Sequence, residues 1–117
     1  AAKIPMAIGS AAIMFNIDYI LDGLHLRNYF STIVSADDVV TSKPDPETFL
    51  KGADGVQIPY ENCIVFEDSP KGVESALRAG MKAVVIKTYH EVHEFDHLPN
   101  VLFFIDDYTD ERLNTLL

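Results

Sequence analysis

Ile64-Val65-Phe66-Glu67-Asp68-Ser69-Pro70-Lys71-Gly72-Val73 is the stretch that decides the fold. Its three leading apolar residues read as a strand with both faces covered, the pattern of a parallel sheet. Ser69-Pro70 reads as a helix N-cap followed by proline at the first helical position. Val73, Ala76, Leu77 and Gly80 then come at i, i+3, i+4 and i+7, with Gly80 suited to close the helix. A buried strand that turns through two acids straight into an amphipathic helix is half of a β–α unit.

The same alternation extends in both directions. Ala83-Val84-Val85-Ile86 and Val101 to Ile105 read as two further apolar strands, and Thr109 to Leu117 as a short closing helix. Upstream, Pro44-Asp45-Pro46-Glu47 opens a helix with prolines and acids in its first turn, and Gly52 and Gly55 weaken it. Thr32-Ile33-Val34 reads as a strand. Ala11 to Leu21 carries Ile13, Ile17, Ile20 and Leu21 at helical spacing, with Gly23 as its stop. Ile4-Pro5-Met6-Ala7-Ile8 reads as the first strand, ending at Gly9-Ser10. Strands alternating with helices predict an α/β layer with a parallel sheet, Rossmann-like, over the whole of residues 1–117.

The chain has 117 residues, 48% hydrophobic and 23% charged, which is the composition of one globular domain. Nine Lys and Arg against 18 Asp and Glu give a formal charge of -9. That excludes nucleic acid and anionic membrane surfaces as partners, since both are bound by basic patches. It leaves room for a small phosphorylated substrate, whose charge one metal ion and one Lys can balance. From Thr88 onward seven acids face a single Arg112, a solvated acidic face. Cys63 is the only cysteine, so there is no internal disulfide, and we expect a buried thiol in a reducing, cytoplasmic setting. No apolar run approaches the roughly 20 residues of a membrane span. The chain opens on Ala1 without Met, and we expect the sequence to begin partway through a longer protein.

Ligands of open parallel sheets bind at the carboxyl ends of the strands. Three such ends carry polar groups: Ser10 after the first strand, Lys43 in the loop after Val34, and Glu67-Asp68 after Phe66. Two adjacent carboxylates make a hard oxygen site suited to Mg²⁺. A hydroxyl and an ammonium are donors suited to a phosphoryl group. No nucleophile accompanies them. His90, His93 and His97 lie among Glu91, Glu94 and Asp96, and read as a solvated loop between strands rather than a metal site. His25 reads as a helix-end residue.

Ile8-Gly9-Ser10, Ser42-Lys43-Pro44-Asp45-Pro46 and Phe66-Glu67-Asp68-Ser69-Pro70-Lys71-Gly72-Val73 together resemble the second, third and fourth motifs of the haloacid dehalogenase superfamily. The similarity is to its β-phosphoglucomutase/phosphatase branch and runs from Met6 to about Thr88. It implies that Ser10 hydrogen-bonds a phosphoryl oxygen and that Lys43 neutralises charge between nucleophile and phosphate. It implies that Asp68 binds Mg²⁺ directly, with Glu67 as second ligand or outer support, and that Ser69 orients the metal site and caps the helix.

The family's first motif, Asp-x-Asp-Gly, supplies the aspartyl nucleophile, and it is absent. Asp106-Asp107 is followed by Tyr108, and no strand precedes Asp54-Gly55. The resemblance therefore implies the carboxyl-terminal core segment of a longer protein, with the cap and the central nucleophile strand outside this chain. That strand would lie between the strands ending in Ser10 and Glu67, so those two are expected not to pair. The missing amino-terminal segment is then a partner, alongside a small phosphorylated metabolite.

Mutases of the branch carry, after the Ser, a polar Ser-Lys-Asn run that grips a second phosphate. Here the run is Ala11-Ala12-Ile13-Met14, which favours hydrolysis of a phosphate monoester over sugar-phosphate mutation. A non-catalytic α/β binding module is the alternative of another class. A receiver-like signalling module ranks lower, because there the acidic pair precedes the Lys-Pro.

Overall fold

The computed structural model describes residues 4–10, 14, 21, 23 and 30–116. The expectations for Ala11, Ala12, Ile13, Ile17, Ile20 and His25 lie outside the described residues. Met14, Leu21 and Gly23 are helical, so Gly23 is not the stop that the sequence suggests.

Five strands and two α-helices form the described core: β1 (Ala7–Gly9), β2 (Thr32–Val34), α1 (Glu47–Val56), β3 (Ile64–Glu67), α2 (Pro70–Arg78), β4 (Lys82–Ile86) and β5 (Val101–Ile105). Short 3₁₀ turns at Ala36–Asp38, Tyr60–Asn62, Val92–Phe95 and Glu111–Leu116 fill the connections. The closing helix at the carboxyl end is thus 3₁₀, and the histidine loop carries one 3₁₀ turn that buries Phe95. All pairings are parallel. β1 pairs with β2, Ile8 opposite Ile33, while β3, β4 and β5 form a second sheet in that order. β1 and β3 do not pair.

The core has two patches, both of which include residues of α2 and of the three-stranded sheet. Val65, Ala76, Ala79 and Met81 pack with Ala53 of α1, and Val73, Ala83 and Val85 pack with Phe95 and Leu98. Asn100 is buried and donates to the carbonyls of Val73 and Met81, which ties the loop before β5 to the first half of α2 and to the residue before β4. Gly80 takes φ of +80° just past α2, the left-handed position that glycine fills without strain.

β3 departs from the expectation of full cover. Val65 is buried, but Phe66 is 41% exposed. Ile4 and Met6, leading into β1, are exposed as well. Phe66 in β3 and Ile4 and Met6 before β1 are thus among the exposed apolar residues, at two strands that do not pair with each other.

Candidate active site

The site forms where β1, β3 and the loop after β2 come together. The β1 ladder continues into Ser10, whose N–H donates to the Val34 carbonyl at 2.9 Å. Ser10 thus stands at the rim beside the start of the β2 loop. Two contacts of Asp45 anchor the turn that carries Lys43. Its carboxylate accepts from the Glu47 N–H at the start of α1. Its carbonyl accepts from the buried Ser75 hydroxyl of α2 at 2.8 Å. Both helices thereby fix the lysine's turn, in which the Lys43–Pro44 bond is cis.

Lys43 Nζ lies 2.9 Å from Glu67 Oε2 and 3.4 Å from the Gly9 carbonyl oxygen. It also sits 4.7 Å above the Phe49 ring. One ammonium therefore joins the carboxyl ends of two strands that share no ladder. The pair is mostly withdrawn from solvent, with 20% of the Lys43 side chain and 12% of the Glu67 side chain exposed. At that burial salt screens the contact less than an exposed surface pair, and losing either partner would leave a poorly solvated charge.

Glu67 folds back over the start of α2, where Ser69 caps the helix by accepting from the Gly72 N–H at 3.2 Å. The space it occupies exists because residue 72 has no side chain: a Cβ there would stand 2.0 Å from Glu67 Cδ and 2.2 Å from Oε2. Glu67 Oε1 accepts from the Asp68 N–H, so both its oxygens are engaged. Asp68 is exposed, and its Oδ2 accepts from Thr88 Oγ1 at 3.3 Å. Tyr108, beyond β5, stacks against Phe66 at 5.8 Å, and burial together with the Asp68 charge pushes its phenol pKa up.

The structure thus brings Lys43 and Glu67 into contact and places Ser10 with Lys43 on one cavity of about 150 Å³, together with Ser42, Thr48 and Ala36. Asp68 adjoins Glu67 but reaches toward Thr88 rather than Lys43. Sequence reasoning does not find Thr88, Tyr108 or Gly72. The strand-end rule points at the first two, since they come after β4 and β5. Gly72 stands in the sequence motif and as a glycine inside a helical pattern, but neither signal says that its missing side chain makes room for Glu67.

The donor set fits Mg²⁺, which is commonly held by one or two carboxylates with water and phosphate oxygens completing its shell. Asp68 Oδ1 accepts no hydrogen bond among the described residues, whereas Glu67 is committed to Lys43 and the Asp68 amide. Asp68 is the residue that would hold the ion, and Glu67 would support it from behind. The histidine segment does not offer a rival site: among the described residues no three His, Cys, Asp or Glu side chains gather as a metal cage. His90 pairs there with Glu94 at 3.2 Å.

Comparison with known proteins agrees with the fold. A family model described as haloacid dehalogenase-like hydrolase matches residues 1–86. The fructose-1-phosphate phosphatase of Escherichia coli is 40% identical over 83 residues, 71% of this chain and 44% of that protein. The crystal structure of a family IA, variant 3 haloacid dehalogenase hydrolase from Entamoeba histolytica superposes with a TM-score of 0.85 at 26% identity, over 97% of this chain and 52% of that one. The β-phosphoglucomutase of Clostridium difficile gives 0.78 at 25% identity, over 97% and 48%. The chain spans about half the length of the proteins it matches, or less. With the motif order and the parallel α/β core in agreement, the chain belongs to the haloacid dehalogenase-like hydrolase family, in its β-phosphoglucomutase/phosphatase branch.

Proposed function

We propose that this chain is the carboxyl-terminal core segment of a Mg²⁺-dependent phosphohydrolase that cleaves a small sugar-phosphate monoester in a reducing, cytoplasmic setting. The observation that carries the reading is Lys43 Nζ, which touches the Gly9 carbonyl and the Glu67 carboxylate and so marks the point between the two unpaired strand ends. We place there the strand bearing the aspartyl nucleophile, supplied from outside these residues. The E. coli relative supports a sugar-phosphate substrate. Ala11-Ala12-Ile13-Met14, which offers no grip for a second phosphate, supports hydrolysis over mutation. That Cys63 is the single cysteine, with no partner for an internal disulfide, supports a reducing setting.

Each residue then has a task. Ser10 donates its hydroxyl to a phosphoryl oxygen at the end of β1. Lys43 lowers the repulsion between an incoming carboxylate and the dianionic ester, a charge-stabilising contribution that grows as the reaction proceeds. Glu67 keeps the ammonium at the gap. Asp68 holds the metal, which when bound neutralises the transferring phosphoryl group. Ser69 fixes the helix start from which Asp68 projects.

The test is a product assay on the full-length protein, with fructose 1-phosphate and with an aldohexose 1-phosphate. Stoichiometric release of inorganic phosphate is expected from the monoesters. Conversion of the aldohexose 1-phosphate to its 6-phosphate with little free phosphate would replace this reading with the mutase.

A further inference from the structure

Asp68 leaves β3 where the chain turns into α2, and it is exposed. An Asp carboxylate turns broadly about its terminal bond, so a partner decides which oxygen faces the site. β4 supplies that partner. The register sets Glu67 opposite Val85, so Thr88 comes three residues past that pairing, where β3 has already turned away. The Thr88 hydroxyl donates to Asp68 Oδ2 at 3.3 Å, while Oδ1 accepts nothing among the described residues. Thr88 is itself held. The N–H of Lys87 donates to the Ile105 carbonyl at 2.9 Å, and Lys87 Nζ lies 3.1 Å from Asp106 Oδ1. Two residues beyond Asp106, Tyr108 packs against Phe66 with ring centroids 5.8 Å apart, which leads back to β3. The ends of β3, β4 and β5 are thus linked in a ring, and Asp68 is the member of it with an uncommitted carboxylate oxygen. Threonine is stiff at χ1, so its hydroxyl stays where the anchored backbone puts it.

We infer that Thr88 is a positioning residue for Asp68: it takes up Oδ2 and leaves Oδ1 as the one oxygen presented to Mg²⁺. The inference rests on the reading of Asp68 as the residue that holds the metal, and deepens it by naming what aims the carboxylate. Mg²⁺ demands near-ideal octahedral geometry and keeps several of its waters, so it is suited by one fixed oxygen rather than a carboxylate that turns. A carboxylate already held in place need not be ordered when the ion arrives, and that saving appears as affinity. Groups that orient a metal ligand are typically worth about 10–100-fold in metal affinity or activity. The exposure of Thr88 puts this case at the lower end, because water can replace part of a lost hydroxyl. Thr88 acts only through Asp68, so its removal should weaken metal binding and spare the chemistry once metal is saturating.

The test uses Thr88→Val in the full-length protein, which keeps the shape of the side chain and removes its hydroxyl. Calorimetric titration of the metal-free protein with Mg²⁺, in the absence of any ester, is expected to give a Kd about tenfold above that of the wild type. At saturating Mg²⁺, kcat and KM for fructose 1-phosphate should stay within about threefold of the wild type. Thr88→Ser keeps the donor and should bring the Mg²⁺ Kd back to within about threefold. Thr109→Val removes a hydroxyl from the neighbouring loop, where it donates to Asp107 rather than Asp68, and should leave the Kd unaltered. An unaltered Kd in Thr88→Val overturns the positioning role, and so does an equal loss in Thr88→Ser or in Thr109→Val. Failure of the wild type to bind Mg²⁺ overturns it together with the metal reading of Asp68. The expected order of affinities with no phosphate released from any ester would keep the role of Thr88 and bring down the phosphohydrolase reading alone.

Discussion

Gly72 decides where a carboxylate can lie. Its missing side chain leaves the space into which Glu67 folds, and Glu67 holds Lys43 at the gap between β1 and β3. Gly72→Ala puts a Cβ about 2.0 Å from Glu67 Cδ and must displace it. We expect kcat for phosphate release to fall on the order of 10²-fold, the cost of misplacing a reacting charge by an ångström. KM should change far less, and circular dichroism should be unaltered. Adding Glu67→Asp, one methylene shorter, should restore part of kcat. An unaffected kcat in Gly72→Ala would remove Glu67 from the machinery. The sequence does not reveal this arrangement. The motif carries Glu67 as a metal-side residue, and only the fold brings Lys43, 24 positions away, onto it. Ser10 and the acidic pair are readable as site candidates because they lie at a strand's end, which is a local signal, and Lys43 because its Lys-Pro string is part of the motif set. Thr88 and Tyr108 need the neighbouring strands to be laid side by side.

At the scale of elements, β3 through β5 and α2 are legible nearly to the residue, because their signals are local: an apolar run, a Ser-Pro start, a glycine stop. The opening of α1 is equally readable, but the purpose of its glycines is not. Gly55 weakens the isolated helix by about 1 kcal/mol relative to Ala, yet a Cβ there would stand 2.3 Å from Thr32 Cγ2 of β2 and 2.9 Å from its Cβ. The glycine is what lets α1 lie against that sheet. Gly55→Ala is therefore expected to destabilise the protein by roughly 1–2 kcal/mol, overpacking outweighing the gain in helix propensity. Gly23→Ala has open space around its Cβ at a helical position, and should be neutral or stabilising by up to about 1 kcal/mol. Urea midpoints of the two variants measure both signs. Equal stabilisation by both would show that no close approach exists at Gly55.

For the whole molecule, the telling feature is a parallel α/β core in two sheets, β1-β2 and β3-β4-β5, joined at their carboxyl ends by one lysine. The alternation of strands and helices is legible in the sequence. So is the separation of β1 from β3, because it is implied by a motif the sequence lacks. The exposure of Phe66 is not: three apolar residues in a row look the same whether or not something covers them, and the cover is a tertiary fact. If a further strand completes this core, the 117 residues alone should fall below the ~5 kcal/mol of stability at which ordinary domains begin, with rapid amide exchange along β1 and β3. A cooperative unfolding of ordinary stability would show that the two sheets suffice. The central claim, phosphoryl transfer at the junction made by Lys43, is tested most directly by the initial rate of phosphate release from fructose 1-phosphate in Mg²⁺ by the full-length protein and its Lys43→Gln variant, with fold checked by circular dichroism. The account predicts metal-dependent release by the wild type and a loss on the order of 10²–10³-fold in the variant; equal rates in two folded proteins would contradict it.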